Sequence, residues 1–347
     1  MAGCITQSLS YANDIDLVGT VQHRLPQPVF NGLRATAPTS IALLKVDLSE
    51  HARKILNRNI YNSQKPKLGF NVANQYPMQV QLGMSQVPVL NQGTHGTCVT
   101  FAATAALDAA LNKGDYISQL CALQLGQYLE KNAYQASGWD GSWGRNVLWQ
   151  MSVFGLINKT QQRANACGSL TEYPLVGNVP DQYLSPDIYH GLSEPFSQHL
   201  LAWSSLLDDY QVSFDKVTPV NTLNALKNSL AAGDRVTFGV LLLNIDQGII
   251  GAVGSHNTAN DTWVLTQEMV NEFSDKTELV GHEMVLTGYD DQATAKDKKG
   301  RIYRGLFTLR NSWGPQIGDH GDFYMTYDYL SNLIIEAQRI RSLRTDP

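Results

Sequence analysis

Charge is scarce in this chain, and it does not gather anywhere. Asp, Glu, Lys and Arg make up 16% of the 347 residues, with a formal net charge of -5. Without a basic cluster there is no electrostatic footing for nucleic acid, and no nucleic-acid partner is expected. Long apolar runs are missing too. None reaches the ~18 residues that mark a membrane-crossing helix, and VTFGVLLL at 236–243 has the length of a strand. Stable membrane insertion is therefore not expected. The first residues, MAGCITQSLSYANDIDLV, lack the basic start and apolar core of an export signal. Cysteine is sparse: the four at 4, 98, 121 and 167 argue against a disulfide scaffold, and a Cys121–Cys167 bridge or two free thiols are equally open. His95 and Cys98 form a lone H-x-x-C with no second pair, so neither a metal nor a cofactor is expected.

What the chain does have is apolar residues, 43% of the total, and enough length for a large core. SIALLKVDL at 40–48 reads as a strand, and SEHARKILNRNIY at 49–61 as a helix started by Ser49 or Asp47. A polar linker follows, NSQKPKLGFNVANQYP, which divides an N-terminal extension (1–70) from the main body (71–347). Helical periodicity recurs after Cys98, over 118–135 and in RNVLWQMSVFG, which makes Cys121 a core residue of an apolar helix. The second half changes period: VTFGVLLLNI, GHEMVLTGYDD, RGLFTLRNSWG and GDFYMTYDYL have strand character. A helical half followed by a stranded half predicts an α+β fold of two subdomains with a cleft between them.

NQGTHGTCVTFAATAALDAAL at 91–111 sets a thiol where a glycine-rich loop turns into a helix. In the first turn, unpaired N–H groups and the helix dipole favour a thiolate. The plain alternative is a small buried residue. A nucleophilic thiol needs a base and a group to orient it. His282 opens an apolar strand, and Asn311 ends the next one, so adjacent antiparallel strands bring imidazole and amide together. Trp313 is placed to shield that hydrogen bond from water. The Cys98 N–H and the Gln92 side-chain amide are candidate oxyanion donors. Each residue alone also suits a structural role: a satisfied core histidine, a turn asparagine, a packed tryptophan, a polar loop glutamine.

PVLNQGTHGTCVTFA, GHEMVLTGYD and LRNSWG followed by GDHGDFYMTY resemble, in that order, the three signature blocks of the papain-like cysteine peptidases. The resemblance spans roughly 75 to 335 and points to a divergent, bacterial member. It implies Cys98 as nucleophile, His282 as general base and acid, Asn311 as orienting group, and Gln92 with Cys98 as the oxyanion hole. It implies a helical left subdomain and an antiparallel, β-barrel-like right subdomain, with the active site in the cleft. Gly141, Ser142 and Gly281 take the substrate-binding positions. The function implied is peptide-bond hydrolysis through a thioester; an amidase or transpeptidase, or a catalytically silent peptide-binding protein on the same fold, are the alternatives. Partners would be a peptide or protein substrate and an activating protease or proteinaceous inhibitor. The setting would be secreted or cell-envelope associated, with the export signal outside the sequence given.

The departures are specific. Val99 replaces the family's tryptophan, and Ser142 replaces one of two glycines in the substrate loop. The disulfide of that region is lost, His95 and Trp139 standing in its place, with Trp139 able to fill the volume. The stretch 244–281 is longer than usual and reads as a flap beside the cleft or a plain surface insertion. Residues 1–70 read as an inhibitory propeptide or an added structural segment.

Overall fold

Alanine sets the centre of the molecule. In the computed structural model, which describes residues 14–24, 29–30, 33–34, 40–63, 76–207, 218–243, 252–254, 261–273, 279–297 and 299–344, helix α2 (Cys98–Leu111) is buried along almost its whole surface. Ala102, Ala103, Ala105, Ala106 and Ala109 present little bulk, so neighbouring backbones approach closely on several sides. Asp108 ties down the turn that follows: its carboxylate accepts the backbone N–H groups of Tyr116 at 3.0 Å and Ile117 at 3.1 Å. Before α2 come β1 (Ile15–Arg24), the short β2 (Val29–Phe30) and β3 (Leu33–Arg34), β4 (Ser40–Leu48), α1 (Glu50–Ser63) and β5 (Gln79–Gln81). After it come α3 (Gln119–Lys131), α4 (Gly144–Phe154), α5 (Lys159–Asn165) and α6 (Pro186–Leu192).

The second half supplies β6 (Leu201–Ser205), α7 (Pro219–Ala231), β7 (Arg235–Leu242), β8 (Ala252–Gly254), β9 (Thr262–Trp263), β10 (Leu279–Asp297), β11 (Ile302–Arg310), β12 (Asp322–Thr326) and β13 (Ile334–Ser342). Two further helices, Gln267–Phe273 and Tyr327–Leu333, lie between these strands. Among the described residues these strands form one eleven-stranded sheet, ordered β6-β13-β7-β10-β11-β12-β9, with β1, β4, β5 and β8 branching from it. Every residue of β7 is buried, which explains its unbroken apolar run.

The expected antiparallel β-barrel is not what forms. The sheet is open: its path runs from β6 to β9, and these ends do not pair. It is also mixed, because β9 runs parallel to β12. Closure needs two edge strands able to share a ladder, and β9 offers only two residues. The two-lobed α+β plan holds, with a helical region on one side and this large sheet on the other.

The N-terminal extension is built into the same core. Ser49 starts α1, its Oγ accepting the Ala52 N–H at 3.0 Å. Ile41, Leu43, Leu44, Val46, Leu48, Ile55, Leu56 and Ile60 are all buried in the cluster that holds α2 and the sheet. At roughly 1.5–3 kcal/mol per buried aliphatic side chain, their contribution is of the same order as the whole stability of a domain. The expected boundary at residue 70 lies outside the described residues. Within 244–281, β9 and the helix Gln267–Phe273 are integral: Trp263 is buried and stacks on Phe323 at 4.9 Å. β8 pairs antiparallel with β10, and residues 244–251, 255–260 and 274–278 of the expected flap lie outside the described residues.

Cys121 and Cys167 are joined in a disulfide spanning 46 residues of sequence, which decides the pairing that composition left open. The bridge sits in a second apolar cluster with Leu123, Trp139, Leu184 and Tyr189. Closing a loop of this size restricts the unfolded chain by about 3–4 kcal/mol. Urea unfolding of Cys121→Ser in reductant should show a loss of that order relative to the oxidised protein.

Candidate active site

Two neighbouring strands assemble the imidazole and its partner. β10 and β11 pair antiparallel with Val285 opposite Arg310, so His282 lies near the end where β11 gives way to Asn311. His282 Nε2 is 2.8 Å from Asn311 Oδ1. The Ser312 backbone N–H donates to the same oxygen at 2.6 Å, which fixes that atom as an acceptor. His282 therefore carries its proton on Nε2, and Nδ1 holds a free lone pair. Nδ1 has no hydrogen-bond partner; it is the basic end of the ring. Trp313 stacks on His282 with centroids 4.6 Å apart and is itself held edge-on by Trp263 and Phe323.

Cys98 is the first residue of α2 and the free cysteine among the described residues. The backbone N–H groups of Glu283 and Val99 are directed at its sulfur and favour the thiolate. Burial opposes them and wins, pushing the thiol up to about 12. Burial likewise drives His282 down to about 4, despite the Asn311 hydrogen bond. In this state both groups are neutral at pH 7, and the thiolate–imidazolium pair is not preformed.

The reason for the dryness is the chain itself. Strand β4 pairs with β10 just ahead of the histidine, Leu44 opposite Gly281 and Val46 opposite Leu279. A Cβ placed at Gly141 would lie 2.9 Å from Leu44 Cδ2, and one at Gly281 would lie 3.1 Å from Val46 Cγ2. Two of the three positions expected to bind substrate, Gly141 and Gly281, thus face β4, while Ser142 is buried with no hydrogen-bond partner for its hydroxyl among the described residues. Gln92, the oxyanion candidate, is also buried. Its Nε2 donates to the Ala42 carbonyl oxygen of β4 at 3.2 Å and to His95 O at 3.0 Å. Its Oε1 accepts from the Ser312 hydroxyl at 2.8 Å. A peptide carbonyl already occupies the Gln92 amide.

Trp139 packs against His95. It is fully buried, meets His95 edge-on at 5.2 Å and stacks on Tyr173 at 5.7 Å. The Tyr173 hydroxyl donates to the Gln92 backbone carbonyl at 2.8 Å, so this aromatic group holds the loop carrying Gln92. Two contributors were not singled out from the sequence: Ser312, which lies within LRNSWG and orients Gln92, and β4, whose main chain reaches Gln92 from 50 residues away in sequence. A third was visible in outline, since Glu283 is an acid within an apolar strand. Among the described residues no cluster of metal-ligating side chains occurs, and no helix is long and apolar enough to cross a membrane.

The description Peptidase C1-like family matches residues 204–340, a span that includes His282 and Asn311 and leaves Cys98 and Gln92 outside. Among solved structures, the chain is similar to xylellain, a cysteine protease from Xylella fastidiosa. That likeness has 21% identity and a TM-score of 0.49, covering 80% of this chain and 91% of the other. A digestive procathepsin L 3 of Tenebrio molitor larval midgut gives 16% identity and a TM-score of 0.47, covering 84% and 78%. The bromelain protease from Ananas comosus gives 14% and 0.43, covering 76% and 99%. A comparison with curated proteins gives no match.

The histidine tautomer can be read directly. Nitrogen NMR of the histidine-labelled full chain should show His282 as the Nε2–H form at pH 6, with protonation near pH 4. An Nδ1–H ring, or one that titrates near the ordinary value of about 6.5, would contradict the geometry.

Proposed function

From the assignment of this chain to the papain-like, C1-type cysteine peptidases, as a divergent member, we propose that it is a thiol peptidase whose cleft is closed by its own strand β4. The observation that carries this reading is the Ala42 carbonyl on the Gln92 amide. It supports Gln92 as a receptor for a peptide carbonyl oxygen, at the N-terminal end of the helix that carries the thiol.

In the reaction, His282 Nδ1 takes the Cys98 proton as the sulfur bonds to the substrate carbonyl carbon. The C=O electron pair moves onto oxygen, where the Gln92 amide and the Cys98 N–H receive it. The C–N bond then breaks, the amine leaving with the proton from His282. Water, deprotonated by the same imidazole, hydrolyses the thioester and returns the thiol. Asn311 holds the ring without adding a competing charge, and Trp313 keeps water from the His282–Asn311 bond.

For this to proceed β4 must leave the cleft, since Cys98 is buried and β4 holds the Gln92 amide. The depth at which β4 and α1 are buried supports a segment that opens while remaining attached, in preference to one that is cut off and lost. The Cys121–Cys167 disulfide supports an oxidising, extracytoplasmic setting.

A labelled epoxide or vinyl-sulfone probe followed by intact-mass analysis tests the chemistry. An adduct is expected on Cys98 of the full chain and absent from Cys98→Ala; no adduct in any folded form would leave the silent peptide-binding reading. Leu44→Ala should loosen β4 by about 2–5 kcal/mol and speed labelling at least ~10-fold; an unchanged rate would remove β4 as the cover. With a peptide substrate, Gln92→Ala should lower kcat by about 10²-fold and change KM less. Product analysis separates hydrolysis from acyl transfer to an amine.

A further inference from the structure

Beneath Cys98 lie two carboxyl groups that this reaction does not use. Glu283 follows His282 on β10, Glu336 comes from β13, and β7 runs between them with Gly239 opposite both. Glycine there leaves nothing to separate the acids: a Cβ at Gly239 would lie 2.8 Å from Glu283 Oε2 and 3.1 Å from Glu336 Cγ. Gly144, the first residue of α4, closes another side, where a Cβ would lie 3.2 Å from Glu283 Oε1 and 3.4 Å from Glu336 Oε2. Both acids are buried.

Their surroundings differ. The Gly144 N–H donates to both Glu336 oxygens, at 2.8 and 3.0 Å, and Gln338 Nε2 donates at 3.1 Å. Arg145 is the cation that faces Glu336. Neither Glu283 oxygen has a well-formed hydrogen bond among the described residues, and the Thr237 hydroxyl is the donor that favours its charged form. From the other elements packed on the pair, β7 presents Thr237 and α2 presents Cys98, while the His282 ring is engaged with Asn311. Two carboxylates in so dry a space cannot both be charged without strong mutual repulsion.

We infer that Glu283 and Glu336 form a proton-holding pair whose charge governs the ionisation of Cys98. With a proton on the pair the thiolate can form; when that proton passes to solvent, the added negative charge opposes it. Burial holds Glu336 up near 7 and Glu283 well above its usual range, and both acids push the thiol upward. The pair therefore sets an alkaline limit on the nucleophile, separate from the imidazole. Both glutamates are positioning residues that act through Cys98. Only the consequence for peptidase activity rests on the function proposed above.

The far-ultraviolet thiolate absorbance of the full chain, measured against pH with Cys98→Ser subtracted, reads this ionisation without substrate. Glu283→Gln and Glu336→Gln should each move its onset down by about one pH unit, a ten-fold change in the thiolate equilibrium. An unmoved onset in variants with native near-ultraviolet circular dichroism would overturn the inference. Should the variants not fold, the infrared spectrum of wild-type protein carrying ¹³C-labelled glutamate decides. A protonated glutamate carbonyl band at pH 7 supports the pair, and its absence overturns it. A shifted onset in a protein that never accepts the epoxide probe would leave this inference standing and remove the peptidase reading.

Discussion

The Glu283 N–H is directed at the Cys98 sulfur across the seam between α2 and β10, and the other site residues take their places from that seam. It exists because α2 is lined with alanine, which lets a helix approach a strand more closely than leucine or phenylalanine would. β10 carries His282 one residue before Glu283, and its antiparallel pairing with β11 brings Asn311 to the ring. Trp313 completes the stack from the loop beyond. A bulkier residue at Ala102 or Ala105, both buried on α2, would force the helix away from the sheet.

Within the closed cleft, desolvation decides the charge states. Asn311 is neutral, so its hydrogen bond does little to offset the cost of burying an imidazolium, and His282 stays uncharged. Nearby N–H donors are likewise too weak to hold a thiolate against full burial and two neighbouring acids. The proposed chemistry and the proposed covering by β4 are thus parts of one balance. Letting water and a peptide into the cleft would relieve the desolvation that keeps both groups neutral.

The open sheet has a related origin. A closed barrel would need its ends to meet, but the short β9 is committed to β12, and β10 gives one edge to β7, β5 and β8 in turn and the other to β4 and then β11. The sheet spends its hydrogen-bonding capacity on attaching the N-terminal strands. This is why the extension both fills the core and reaches the cleft.

Much of the site was legible before any fold was known. A glycine-rich loop running into an alanine-rich helix placed Cys98 in a first turn, and period-two apolar runs put His282 and Asn311 on neighbouring strands. These are local signals, set by backbone preference and side-chain spacing within a few residues. The antiparallel barrel that the resemblance implied was wrong, because edge pairing depends on which distant strands meet. The Cys121–Cys167 bridge, the Ser312 contact to Gln92, the Ala42 carbonyl and the Glu283–Glu336 pair were equally beyond local reading. Each joins residues far apart in the chain, and their hydrogen bonds and electrostatics arise only after packing has removed water and chosen their neighbours. The sequence alone determined which groups could do chemistry; tertiary structure decided which of them meet, in what charge state, and under what cover.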